Sequence, residues 1–437
     1  MAAGIEQAAV RQLKLRISEF LRWPTEQRDS GSARASLESS LPRSSGLDAV
    51  RACAILWVMI YHAANFDLVP DADHWFVRFG WMGVDLFFGL SGFLIAGQLL
   101  KPWAIGSRPD YRRFFSRRAL RILPGFVAVT IIYFTLPAAR ERSAIQPLWQ
   151  FVTFTENLLI QLDAPKAFSH VWSLCVEEHF YLIFPPAVAL LASARWRPAV
   201  GLAFAAVLMA GMATRSWLWL AHVSSSPFDW RGNPDPRLYL ELIYYPTWTR
   251  LDGLLAGVAL AAVKLFCPAA WRRLTLRPNL LLLLGLGGMA ASMWLFGDQI
   301  TGLVGSTLGF PLLSMSVALV LAAAGTDVSA LSAPPQWLTR SLATGAYSLY
   351  LTHKIAFHIV IEWVAPRYDV SGYAKLGLSL ATALVCGAAL YALVERPFLR
   401  LRDRLEGPSR SSIARPSPRS RPADSHGEAV GVRNGLG

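Results

Sequence analysis

Arg51 and His62 stand eleven residues apart in Leu47 to Phe66, LDAVRACAILWVMIYHAANF, an apolar run of membrane length. At 3.6 residues per turn that spacing is about three turns, so both side chains leave one helix face, roughly 16 Å apart along the axis. A cation near one end and a titratable imidazole deep inside the run can together hold an anionic substrate and move a proton. An ionisable group in hydrocarbon is costly and usually faces a protein-lined cavity. A histidine bonded to a neighbouring helix, with an arginine reaching headgroup phosphates, accounts for the pattern equally well.

Four further blocks place polar groups where lipid does not favour them. GWMGVDLFFGLSGFLIAG (80–97) holds Asp85 and Ser91; an ionised Asp85 needs an arginine, a histidine or a helix N-terminus as partner, and capping its own helix is the plainer reading. YRRFFSRRALRILPGF (111–126) puts Arg118 and Arg121 one turn apart, suited to phosphate oxygens in fork geometry or to lipid headgroups. HVWSLCVEEHFYLIFPP (170–186) sets Glu177 and Glu178 at the start of a hydrophobic helix beside His170, Trp172 and His179. Helix-dipole complementation explains one glutamate better than two, so at least one is expected to point inward. GAYSLYLTHKIAFHIVIEW (345–363) buries His353 and Lys354, and spaces His358 and Glu362 to pair. Arg250, Asp252 and Glu395 read as topological or packing charges at helix ends.

The elements that position these groups follow from composition. The 437 residues are 54% hydrophobic and 16% charged, with 16 Trp and 23 Phe, which excludes an ordinary soluble domain. Apolar segments at about 47–66, 82–100, a third ending near Pro137, then 174–192, 199–221, 249–266, 279–296, 302–323, 342–364 and 373–394 predict an all-α polytopic membrane protein of about ten spans. Basic loops (Lys101 to Arg121, Arg195 and Arg197, Lys264 to Arg277, Arg340, Arg396 to Arg404) alternate with acidic ones such as Asp67 to Asp73, so both termini are expected in the cytoplasm. That alternation accounts for the formal charge of +13 and removes the case for nucleic-acid binding. Residues 1–46 read as a partly disordered extension without a secretory signal, 47–404 as the membrane domain, and 405–437 as a disordered tail. The four cysteines lack CxxC spacing and the histidines lack a ligand pattern, so neither disulfides nor a metal site are indicated.

The motifs LDAVRACAILWVMIYH, GVDLFFGLSGFLI, RRALRILP, WSLCVEEHFYLIFP, YSLYLTHK and VERP, in this order from Leu47 to Arg404, resemble the acyltransferase-3 family of bacterial integral-membrane acyltransferases. The resemblance implies an inner-membrane enzyme that moves an acyl group, with acetyl the commonest expectation, from cytoplasmic acyl-CoA to a sugar hydroxyl on a surface polysaccharide, peptidoglycan or small glycoside. The family's arginine–histidine pair falls on Arg51 and His62, its cytoplasmic arginine pair on Arg118 and Arg121, and its glutamate block on Glu177 and Glu178. The chain departs from the pattern at Ala49 and Ala52, where glycine is usual, and at His179, where glutamine is common. Some relatives carry an extracytoplasmic hydrolase-like domain; a tail ending at Gly437 is expected to be too short for one.

The implied division of labour has Arg118, Arg121 and Arg51 hold the coenzyme A phosphates, His62 act as general base, and Glu177 or Glu178 orient its ring. Asp85, Ser91, Trp172 and His353 are expected to support substrate or site. The competing class is a transporter or flippase of a lipid-linked sugar that uses the buried charges as a path. The enzyme reading requires the His62 ring to be reachable by a thioester delivered from the arginine side.

Overall fold

The computed structural model describes residues 44–70, 74–191, 199–225, 235–297, 301–326 and 329–406; the expected extension up to residue 43 and the tail from 407 lie outside them. Each predicted apolar segment becomes a helix: α1 Ser45–Ala64, α2 Met82–Ala104, α3 Tyr111–Thr135, α4 Trp172–Leu191, α5 Ala199–Leu218, α6 Asp252–Phe266, α7 Pro278–Phe296, α8 Phe310–Ala324, α9 Gln336–Ile359 and α10 Gly372–Leu390. No strand forms among the described residues. Seven helices among them are long and apolar enough to cross a membrane, or eight if α6 and Pro268–Leu274, which meet at 115°, make one broken span. The expectation of ten spans is therefore met as ten helices and in part as spans. Outside both counts stand α4 and α9, which carry Glu177 and Glu178 and His353 and Lys354 respectively.

Local chemistry sets several helix starts. Asp110 caps α3 by accepting from the Arg113 N–H at 3.0 Å, which begins the helix just before the arginine cluster. Between α3 and α4 the chain folds into a cap of short helical turns, in which Phe168 adopts a left-handed backbone (φ 60°). A bulky residue there is strained. It is held by the Glu141 carboxylate, which accepts from the Phe168 N–H at 2.9 Å, and by stacking on Tyr133 at 4.2 Å between centroids. The strained turn delivers Ser169 and His170 to the start of α4.

The helices pack around α1, α2, α6, α8 and α9, with α2 against α6 the most intimate pair and α1 seated against α9, α2 and α8. Glycine makes the α2–α6 crossing possible. A Cβ on Gly257 would lie 2.2 Å from the Gly89 carbonyl oxygen, and one on Gly92 would lie 2.0 Å from that of Leu254. No side chain fits at such distances, so the two backbones touch.

Two buried ion pairs lock this centre. Asp85 on α2 accepts from Arg250 Nη2 at 2.8 and 3.0 Å, with the two side chains 3% and 1% exposed. Arg215 on α5 grips Asp252 on α6 through two bonds of 2.6 and 3.1 Å, and also donates to the Thr249 and Ser306 carbonyls. Pairing each guanidinium with a carboxylate is what makes its burial tolerable. Arg250 and Asp252 are thus packing charges, as expected, though buried ones, and Asp85 is the partner of an arginine instead of a cap.

Gly257→Val is expected to overpack the α2–α6 contact by about 1–3 kcal/mol or more and lower the melting temperature of the detergent-purified protein. Gly345→Ala, where nothing lies within 4 Å of a built Cβ, should leave it in place. Equal melting of the two variants would contradict the close approach.

Candidate active site

The packing of α1 on α9 brings His62 and His353 together. Their rings stack with centroids 4.9 Å apart, and His62 Nδ1 lies 2.8 Å from His353 Nε2. His353 is fully buried, and its Nδ1 lies 3.1 Å from the Leu349 carbonyl oxygen one turn earlier on α9. A carbonyl only accepts, so His353 Nδ1 carries the proton and its Nε2 is the lone pair. The short contact to that lone pair requires a proton on His62 Nδ1. His62 Nε2 is therefore left basic, with no partner among the described residues. A backbone carbonyl thus selects the tautomer of a ring on another helix.

His62 lines a cavity of about 330 Å³ at its end of α1, together with Ser169 from the cap and Lys354 from α9. Lys354 Nζ donates to Ser169 Oγ at 3.1 Å. A third histidine, His170, closes the floor, with its ring centroid 5.0 Å from that of His353 and 6.2 Å from that of His62.

The other end of α1 opens on a second cavity of about 190 Å³. Arg51, Arg118 and Arg121 line it with Ser91, Glu177 and Glu178, so it gathers six of the residues singled out in the sequence. Glu177 accepts from the Tyr181 hydroxyl at 2.5 Å, Ser91 Oγ sits 3.0 Å from the same hydroxyl, and the Arg118 guanidinium lies over the Tyr181 ring at 5.1 Å. Arg51 lies 3.8 Å from Asp48. The result is a wall of three guanidiniums, of which Arg118 rests on an aromatic neighbour and Arg51 stands beside a carboxylate.

The two cavities share no lining residue. Ser173 and Tyr350 line the arginine side at its inner limit, and His170 and His353 lie behind them. The Tyr350 hydroxyl donates to the His170 carbonyl at 2.7 Å, and Ser173 therefore donates to Tyr350 at 2.7 Å. The His62 ring is open from its own side and is separated from the arginines by this single layer.

The expectation that Glu177 or Glu178 orients the His62 ring is corrected. Both glutamates face the arginine-side cavity, and the ring's hydrogen-bond partner is His353. Trp172 lines neither cavity; it is buried beneath Arg250, whose guanidinium lies 5.3 Å from its ring. His179 bonds Thr247 at 2.6 Å, and His358 approaches the Ala138 carbonyl at 3.2 Å instead of pairing with Glu362. Sequence reasoning missed Tyr181, Tyr350 and Arg215. An arginine inside the apolar run 199–221 was the available signal for the last, whereas tyrosines in hydrophobic helices carry none. No cluster suited to a metal ion occurs among the described residues.

Glu156, in the cap, is wholly buried, and neither carboxylate oxygen has a hydrogen-bond partner. Burial pushes its carboxyl up to about 8, against the opposing pull of Lys354. A carboxyl that binds its proton more tightly when folded contributes stability that is complete below about 4.5 and is lost as pH rises through about 8. Glu156→Gln should therefore melt above the wild type at pH 9 and converge with it near pH 5. A constant offset across that range would contradict the protonated assignment.

His353→Ala removes the acceptor that holds His62 Nδ1–H and is expected to depress any reaction that uses Nε2 as base by about tenfold or more. His353→Gln, whose side-chain carbonyl also accepts, should recover part of it. Equal activity of the two variants would remove the positioning role.

Residues 44–394 match the model of the Acyltransferase domain family, in line with the resemblance read from the motifs. The peptidoglycan O-acetyltransferase OatA of Listeria monocytogenes is 30% identical over 230 residues, which cover 50% of this chain and 33% of the relative. The O-acetyltransferase OatA of Staphylococcus aureus is 27% identical over 380 residues, covering 80% of this chain and 56% of the relative. The aligned part of this chain thus spans a third to little more than half of the length of these curated relatives. No solved structure matches.

Proposed function

The chain belongs to the Acyltransferase domain family, and we propose that it transfers an acyl group, acetyl, from cytoplasmic acyl-CoA to a sugar hydroxyl of a cell-surface glycan or small glycoside, from a multi-pass position in the bacterial inner membrane. The observation that carries this reading is the free Nε2 of His62, fixed as a base by the Leu349–His353 chain and open to a cavity. The printed activities of the Listeria and Staphylococcus relatives, O-acetyl transfer in both and to peptidoglycan in the first, supply the reaction class.

In this reading Arg118, Arg121 and Arg51 hold the coenzyme A phosphates on the cytoplasmic side, and the pantetheine arm runs toward the Ser173–Tyr350 layer. The acceptor enters the opposite cavity. His62 Nε2 takes the proton from its hydroxyl as the oxygen attacks the thioester carbonyl. The tetrahedral intermediate collapses with loss of the coenzyme A thiolate, which receives that proton from the imidazolium. His353 keeps its lone pair on His62 Nδ1–H throughout and shares the charge while the imidazolium exists. Thioester and hydroxyl meet where Tyr350 and Ser173 now bond each other, so the two hydroxyls must part for the acyl group to pass. Once parted, they are placed to donate to the developing oxyanion. In the structure Ser91 is bonded to Tyr181 and Tyr347 donates to the Ile122 carbonyl at 2.8 Å.

A second reading, movement of a lipid-linked sugar across the membrane, draws on the same pair of cavities facing opposite ends of α1. It predicts sugar uptake by proteoliposomes without any acyl-CoA.

His62→Ala is expected to leave the protein inserted and monodisperse while reducing acyl transfer from labelled acetyl-CoA by at least about 10²-fold. Near-normal transfer would remove the base assignment. Arg118→Gln with Arg121→Gln should chiefly raise the acetyl-CoA concentration needed for half-maximal rate; an unaltered dependence would return both arginines to topology alone.

A further inference from the structure

The cavity that holds His62 carries more positive charge than its own acids balance. Four cations line it, Arg142, Lys166, Arg237 and Lys354, against two carboxylates, Glu141 and Asp163. Lys166 is matched to Asp163 at 2.5 Å. Lys354 is buried, anchored on Ser169, and its charge is countered by the nearby Glu141, one oxygen of which holds the Phe168 N–H. Arg142 and Arg237 are left over. Both side chains are exposed, and neither guanidinium makes an ion pair or hydrogen bond among the described residues.

Their placement is not that of loose surface charge. The Arg142 guanidinium lies 5.6 Å from the centre of the Phe66 ring, and Phe66, four residues after His62, lines the same cavity as both. Arg237, also in the lining, sits in the short turn Pro236–Tyr239, whose start is fixed by Asp235 accepting from the Arg237 N–H at 2.9 Å. Two fork-shaped donors thus face one space of about 330 Å³, comparable to one or two sugar rings. A neutral sugar would leave both guanidiniums without an anionic partner.

We propose that this cavity selects an acceptor bearing an anionic group, carboxylate or phosphate, close to the hydroxyl presented to His62, with Arg142 and Arg237 as the residues that read the charge. The inference rests on the acyl-transfer reading for what the cavity is for, while the charge preference itself stands on the cavity's own residues. The same guanidiniums would reject a cationic amino sugar, and because they are exposed the preference weakens with salt.

The test is binding, measured by calorimetry on the full chain in neutral detergent, with three trisaccharides that differ only in the terminal residue: glucuronate, glucose and glucose 6-phosphate. The glucuronate form should bind about tenfold more tightly than the glucose form, and Arg142→Gln with Arg237→Gln should bring that ratio near one. Tighter binding of the phosphate form than of the glucuronate form, lost in the same variant, would support the proposal with phosphate as the group read. Equal affinity for charged and neutral sugars, no binding of any of the three, or a ratio that survives the double substitution would overturn it. So would an arginine dependence seen only for phosphatidylglycerol micelles, which would make the pair a lipid contact. Charge-selective binding without acyl transfer would set aside the transfer reading and leave this one standing; transfer without charge selection would do the reverse.

Discussion

A single hydrogen bond between two imidazoles, His62 Nδ1 to His353 Nε2, sets which nitrogen of His62 faces the cavity with its lone pair. It fixes where one proton sits on a ring that faces the cavity, and the fixing agent is a backbone carbonyl that cannot change its role. A 2.8 Å contact between rings on different helices needs α1 and α9 held to a fraction of an ångström. The surrounding architecture supplies that constraint. α1 is seated between α9, α2 and α8, and α2 is in turn fastened to α6 by glycine contacts and by the Asp85–Arg250 pair.

The second feature is the separation of charge along α1. Three guanidiniums gather at one end and the imidazole stands at the other, with the Tyr350–Ser173–His170 layer between them. For a reaction between a large anionic donor and an acceptor from the opposite side, such a layer keeps water away from the thioester until both substrates are in place. The thioester's access to His62, which the enzyme reading requires, therefore depends on two hydroxyls that bond each other in this state. Under the proposed charge selection, Arg142 and Arg237 of the His62 cavity extend the same logic to the acceptor.

The ten helices were legible because apolar runs of membrane length leave little choice of structure, and their boundaries agree to within a few residues except in α8, which starts at Phe310 instead of near 302, and α9, which starts at Gln336 instead of near 342. The arginine cavity was also legible, since Arg51, Arg118, Arg121, Ser91 and both glutamates were marked by being polar in apolar sequence. What could not be read was pairing. Spacing says which residues share a helix face and nothing about which helix that face meets, so Glu177 was given to His62 although Tyr181, one turn along its own helix, holds it. For the same reason Asp85 and Arg250, 165 residues apart, and Arg215 and Asp252 gave no sign of their partnerships. His353 was singled out for its burial, but its function as acceptor follows only from the register of α1 against α9.

The most direct test is the proton itself. Nitrogen-15 NMR of the histidine-labelled protein in membranes, with the His62 signals among the 8 histidines assigned by their loss in a His62→Gln variant, reads the protonation of each ring nitrogen. The account predicts a pyrrole-like Nδ1 and a pyridine-like Nε2 for His62 near neutral pH. A pyrrole-like Nε2 would point the lone pair at His353 and away from the cavity, and would contradict it.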